Sequence, residues 1–120
     1  VTISKALLRS RHDGIKKTEI TGIAEKDARY VILEMRKQES NLTFEEIAKR
    51  IREWNKESKL NLLTETVGNK TIFSQLHELG ERWSEIQCRM YCRMFEMIKC
   101  TIVSREWSET TFSFEVAKPE

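Results

Sequence analysis

The segment Thr43-Phe44-Glu45-Glu46 constrains the fold of this chain more than any other. A threonine followed three residues later by glutamate forms a capping box: the threonine oxygen accepts a free amide at the helix start, and the glutamate reaches back to the threonine amide. Phe44, Ile47, Ala48, Ile51 and Trp54 then recur at spacings of three and four. Glu45, Lys49, Arg52, Glu53 and Lys56 occupy the opposite side. A helix with one buried stripe is therefore predicted from Thr43 to about Lys56.

The same periodicity predicts further helices around it. Ala28, Val31, Ile32 and Met35 mark a helix over about Ala24 to Gln38. Ile3, Leu7 and Leu8 mark the end of an earlier one that stops at Gly14, and 14–22 reads as a basic linker. Residues 59–68 break the pattern and read as a long connection. Ile72, Leu76 and Leu79 then suggest a short helix over Lys70 to Leu79, with Gly80 as its cap. After Trp83, Ser84 to Gln87 resembles a second capping box, followed by Ile86, Met90, Met94 and Ile98 on one stripe that Tyr91 and Phe95 widen. Beyond Lys99 the period changes: 101–104 reads as a strand, and 111–116 places Phe112, Phe114 and Val116 on one face.

The expectation is a mainly α protein, a helix-turn-helix-type three-helix bundle with an additional C-terminal helix and a short β-hairpin or strand pair. Its parts are 1–22, a first helical end plus basic linker; 23–80, the helix-turn-helix-like unit; and 81–120, the C-terminal helix and strands. The chain has 120 residues, with 39% apolar and 33% charged side chains. That is enough hydrophobic material for one modest core, and no apolar run approaches the roughly 20 residues of a membrane span. A secretory signal is not evident, and Cys88, Cys92 and Cys100 read as reduced thiols of an intracellular protein.

Chemistry-bearing motifs are absent: there is no glycine-rich phosphate loop, His-Glu-x-x-His, Gly-x-Ser-x-Gly or Cys-x-x-Cys. No enzyme activity, cofactor or metal is expected. His77 reads as a surface or DNA-proximal residue. Met90, Met94 and Met97 read as core, with a groove for a partner helix as the alternative.

Net charge is only +2, but Lys5, Arg9, Arg11, Lys16 and Lys17 face a single Asp13 near the N-terminus. A short third helix carrying Asn69, Lys70, Thr71, Ser74 and Gln75 on its outer side would offer residue types that contact phosphates and base edges. The alternative is a plain helical bundle with a solvated polar face. Periodicity does not separate the two.

Several segments resemble, in family order, the N-terminal half of a mariner-superfamily transposase and, more distantly, paired-box DNA-binding domains. Residues 1–14 are similar to a recognition helix and its turn glycine. Lys16-Lys17-Thr18 and 25–31 are similar to a basic linker and the first helix of a second unit, 42–48 to its second helix, and 70–80 to its recognition helix. Residues 105–115 resemble the strand that opens the transposase catalytic domain, with Phe114 where the family's first metal-binding aspartate would stand.

The resemblance implies a nuclear, truncated or domesticated relative that contacts double-stranded DNA through Lys5, Arg9, Arg11, Lys16, Lys17, Asn69, Lys70, Thr71, Ser74 and Gln75. It would not cut DNA, because phenylalanine supplies no oxygen ligand for a metal. Phe73, Ser74 and Gln75 stand where basic residues are common in the family, which implies modest affinity. The competing expectation is a helical adaptor that holds a protein partner or a second copy through its C-terminal half, with Trp83, Tyr91, Phe95 and Trp107 as candidate contacts.

Overall fold

A computed structural model describes residues 16–39 and 41–119. The segment expected to be a first recognition helix, with Lys5, Arg9 and Arg11, lies outside the described residues. Among the described residues there are three helices: α1 (Ile20–Gln38), preceded by a 3-10 turn at Lys17–Glu19, α2 (Phe44–Glu57) and α3 (Glu81–Met97). The same residues form four strands: β1 (Asn61–Val67), β2 (Lys70–Leu76), β3 (Thr101–Trp107) and β4 (Thr111–Ala117). They form one antiparallel sheet in the order β1-β2-β4-β3, so the second strand of each hairpin is central.

This architecture overturns the mainly α, helix-turn-helix expectation. The stretch assigned to a long connection is β1, and the supposed recognition helix is β2. Val67 pairs with Lys70 across Gly68-Asn69, and Gly68 has φ 64. A two-residue hairpin loop needs a left-handed residue at that first position, which glycine supplies without steric cost.

Period two runs through both central strands. In β2, Thr71, Phe73 and Gln75 are buried; in β4, Phe112, Phe114 and Val116 are buried. Cross-strand pairing of Phe73 with Phe114 places the two rings in a stack, with centroids 5.0 Å apart. Phe95 of α3 and Phe44 of α2 close on Phe73 at 5.4 and 6.1 Å. These rings join the helices to the sheet.

The described helices lie on one side of the sheet. α3 packs on β3 and β4, α2 on β1, and α1 along α3. Ala24, Ala28 and Ile32 of α1 meet the same core as Ile47, Ala48 and Ile51 of α2. Small residues on α1 allow close helix approach. Glu25 receives a 2.7 Å hydrogen bond from Arg93 that ties α1 to α3, and this arginine holds its carboxyl below the usual range.

The Thr43 cap forms, with its Oγ1 accepting the Glu46 amide at 3.2 Å. The expected box at Ser84 does not. α3 begins a turn earlier with Gly80 as N-cap, so Ser84 and Glu85 lie inside the helix and are buried. Gly80 has φ 95 and ψ 165, a conformation essentially confined to glycine.

Both helices that feed strands end in Schellman motifs. After α2, Lys59 and Leu60 donate to the carbonyls of Lys56 and Asn55; after α3, Lys99 and Cys100 donate to those of Glu96 and Phe95. Lys59 and Lys99 hold the left-handed position, with φ 57 and 71.

Candidate interaction surface

The interior contains two chains of polar side chains, and their geometry is structural. In the first, Asn55 donates to the Ile51 carbonyl at 2.8 Å, Gln75 Nε2 donates to Asn55 Oδ1, and Trp83 Nε1 donates to Gln75 Oε1 at 3.1 Å. One amide chain thus links α2, β2 and α3. In the second, His77 Nδ1 accepts the Leu79 amide at 2.8 Å, and its Nε2 meets Ser84 Oγ, which donates to the Thr111 carbonyl at 3.2 Å.

An Nδ1 that accepts leaves the ring proton on Nε2, so the imidazole donates to the serine and does not withdraw its proton. This is the reverse of nucleophile activation. His77 is 1% exposed, which corrects its expected place on the surface.

Tyr91 stands beside the amide chain. Burial pushes its hydroxyl up to about 12, with neighbouring Asn55 offsetting part of the effect. Cys100 is raised by burial, and Cys92 by a hydrogen bond with the Cys88 thiol together with burial. A group raised in the folded state contributes stability that is complete below its unfolded value and is lost as pH rises to the folded one. Urea midpoints are therefore expected to fall above pH about 9, where the thiols begin to titrate. Tyr91 alone accounts for on the order of 2–3 kcal/mol between pH 10 and 12. A Tyr91→Phe chain should show a shallower decline in that window; an identical decline would contradict the assignment.

Among the described residues no group of three or more His, Cys, Asp or Glu side chains could hold a metal ion. Cys88, Cys92 and Cys100 are free and buried. No helix of the described residues is long and apolar enough to cross a membrane.

The side of the sheet away from the helices carries the surface with binding character. Pairing places Leu63 opposite Ser74, Glu65 opposite Ile72 and Leu76 opposite Asn61. Leu63 therefore lies diagonal to Ile72 and Leu76, and Val67 diagonal to Ile72, within reach of one another. Their exposures are 73% for Leu63 and Val67, 49% for Leu76 and 39% for Ile72. The β4-β3 half of the same face carries Thr111, Ser113, Glu115, Ser104 and Glu106, and in this half of the sheet Val103 is exposed at the bulge of β3. A cleft of about 1100 Å³ crosses one end of the sheet, where Leu63, Ser74, Ser113 and Glu106 form a row over all four strands, and Arg52 and Lys56 of α2 bound it.

Among the described residues, those expected to bind DNA are not gathered on one surface. Lys16 and Lys17 are exposed, and Lys17 lines a small hollow with Gly80, Arg82 and Glu109 beyond the end of β2. Asn69 and Lys70 are exposed at the opposite end of that strand. Thr71 and Gln75 face the helices and are buried, while Ser74 is half-buried on the open face.

The expected partner contacts are also internal. Trp83, Tyr91 and Phe95 are buried, and Trp107 is half-buried under the Arg89 guanidinium at 5.0 Å. Met90 and Met94 are core, with Met97 packed against it.

Sequence reasoning missed Leu63, Val67, Ile72 and Leu76 as an exposed set. The available signal was Gly68-Asn69 between two seven-residue runs rich in Thr, Val, Ile and Phe, which marks a hairpin. Comparison of the chain with protein-family models, with curated proteins and with solved structures gives no match.

Proposed function

We propose that this chain is a non-catalytic interaction module that associates with a second copy of itself through the β1-β2 half of its sheet. The observation that carries this reading is the contiguous apolar set Leu63, Val67, Ile72 and Leu76 on a sheet face that none of the described helices covers. Isolated exposed aliphatic residues are ordinary, but a cluster of them on one half of an open sheet is a recognition surface. Of the two recognition helices that the DNA-binding reading used, the one over 70–79 is strand β2, and the N-terminal one lies outside the described residues.

Sedimentation of the 120-residue chain tests the proposal. A concentration-dependent dimer is expected, weakened at least about tenfold by the double substitution Leu63→Glu with Val67→Glu. Both side chains point to solvent, so folding stability should change little. A monomer up to about 1 mM, which corresponds to association weaker than about −4 kcal/mol, overturns the reading, as does a double variant that associates like the unsubstituted chain.

A further inference from the structure

The two edges of the sheet are built differently. β3 carries a bulge between Ile102 and Ser104, and its Arg105 pairs with Phe114 in the row that faces the helices. A bulge and an inward charge are the devices by which sheets block the addition of another strand. β1 has neither. Its seven residues, Asn61–Val67, pair in unbroken register with β2, contain no proline or lysine, and carry one charge, Glu65.

Which backbone groups β1 leaves open follows from the hairpin. In a two-residue turn the first residue's carbonyl accepts the amide of the fourth, so Val67 and Lys70 are a hydrogen-bonded pair. Such pairs alternate along an antiparallel ladder, so Asn61, Leu63, Glu65 and Val67 direct their backbone groups to β2. Thr66 and Thr71 are then a non-bonded pair, whose side chains lie closer together, and their hydroxyls are 3.0 Å apart. Leu62, Thr64 and Thr66 direct N–H and C=O to the edge that no strand of the described residues occupies.

We infer that the second copy joins through this edge, antiparallel, with a two-fold axis at Thr64, so that the two sheets become one of eight strands. This rests on the self-association reading above. Thr64 meets Thr64 of the second copy, and Leu62 meets its Thr66 on either side of the axis, for about six backbone hydrogen bonds. The register sets no like charges directly opposite: Glu65 lies opposite Leu63 of the second copy, and the two Glu65 side chains are diagonal neighbours across the axis. It also joins the two apolar halves, with Leu63 and Val67 of each copy flanking the seam. The apolar half of the face lies at the open edge, and the polar half at the guarded one.

Sedimentation and hydrogen exchange on the full chain test the inference with two variants. Thr64→Pro removes the central edge amide, which β2 does not use, so folding is retained while association falls at least about tenfold. Thr64→Lys keeps the amide but sets two ammonium groups against each other across the axis, and association should again fall. In the unsubstituted chain the amides of Leu62, Thr64 and Thr66 should exchange more slowly as protein concentration rises. A dimer that both folded variants form as well as the unsubstituted chain, with those amides unprotected, overturns the edge pairing and leaves the self-association reading standing. A chain that stays monomeric overturns the reading itself.

Discussion

Phe73→Ala is expected to lower the unfolding free energy by about 3–5 kcal/mol, while Ile72→Ala changes it by less than about 1. Phe73 has no exposed surface and touches rings from β4, α3 and α2, so its removal leaves a cavity where three elements meet. For a domain with a total stability of about 5–15 kcal/mol, that is a large fraction. Ile72, one residue earlier, is 39% exposed on the open face and loses little on truncation.

The pair also distinguishes strand from helix. A helix over 70–79 would bury Ile72 with Leu76 and Leu79 and turn Phe73 outward, reversing the order of the two effects. Urea denaturation of both variants decides it, and a costlier Ile72→Ala would contradict β2.

Gln75→Leu is expected to cost about 2–4 kcal/mol, although it keeps the volume and adds an apolar side chain. Gln75 is 1% exposed; its Nε2 donates to Asn55 and its Oε1 accepts from Trp83 at 3.1 Å. Leucine removes both bonds and leaves Asn55 Oδ1 desolvated without that donor. Adding Asn55→Leu should then cost less than the two single changes summed, because the second substitution removes the group that the first deprived of its partner. Strict additivity of the two, measured by the same denaturation series, would show that the amide chain is not a coupled unit.

The same amide chain explains why the central strand was hard to read. An inward-facing strand row is recognised as alternating apolar residues, but the row Thr71, Phe73, Gln75 and His77 is mostly polar. Each polar member meets a side chain from another element: Thr66 for Thr71, Asn55 and Trp83 for Gln75, and Ser84 for His77. None of those partners can be inferred from the local pattern. Ile72, Leu76 and Leu79 meanwhile mimic one face of a helix. β4 lacks this complication, and its Phe112, Phe114 and Val116 alternation is plain in the sequence. Of the interaction surface, only the Gly68-Asn69 turn was legible, because exposed leucines on an edge hairpin look like the buried stripe of a helix until the face they occupy is known.

Local chemistry by itself determined the Thr43 helix start, the core stripes of α1 and α2, and the strand β4. In each the information lies within a few residues, as a cap or a regular apolar period. Only the tertiary structure decided that 61–76 is a hairpin, that His77 is interior, and that the sheet keeps one face and one edge open. Those outcomes depend on hydrogen bonds between different elements, and on the described helices packing against one side of the sheet and not the other.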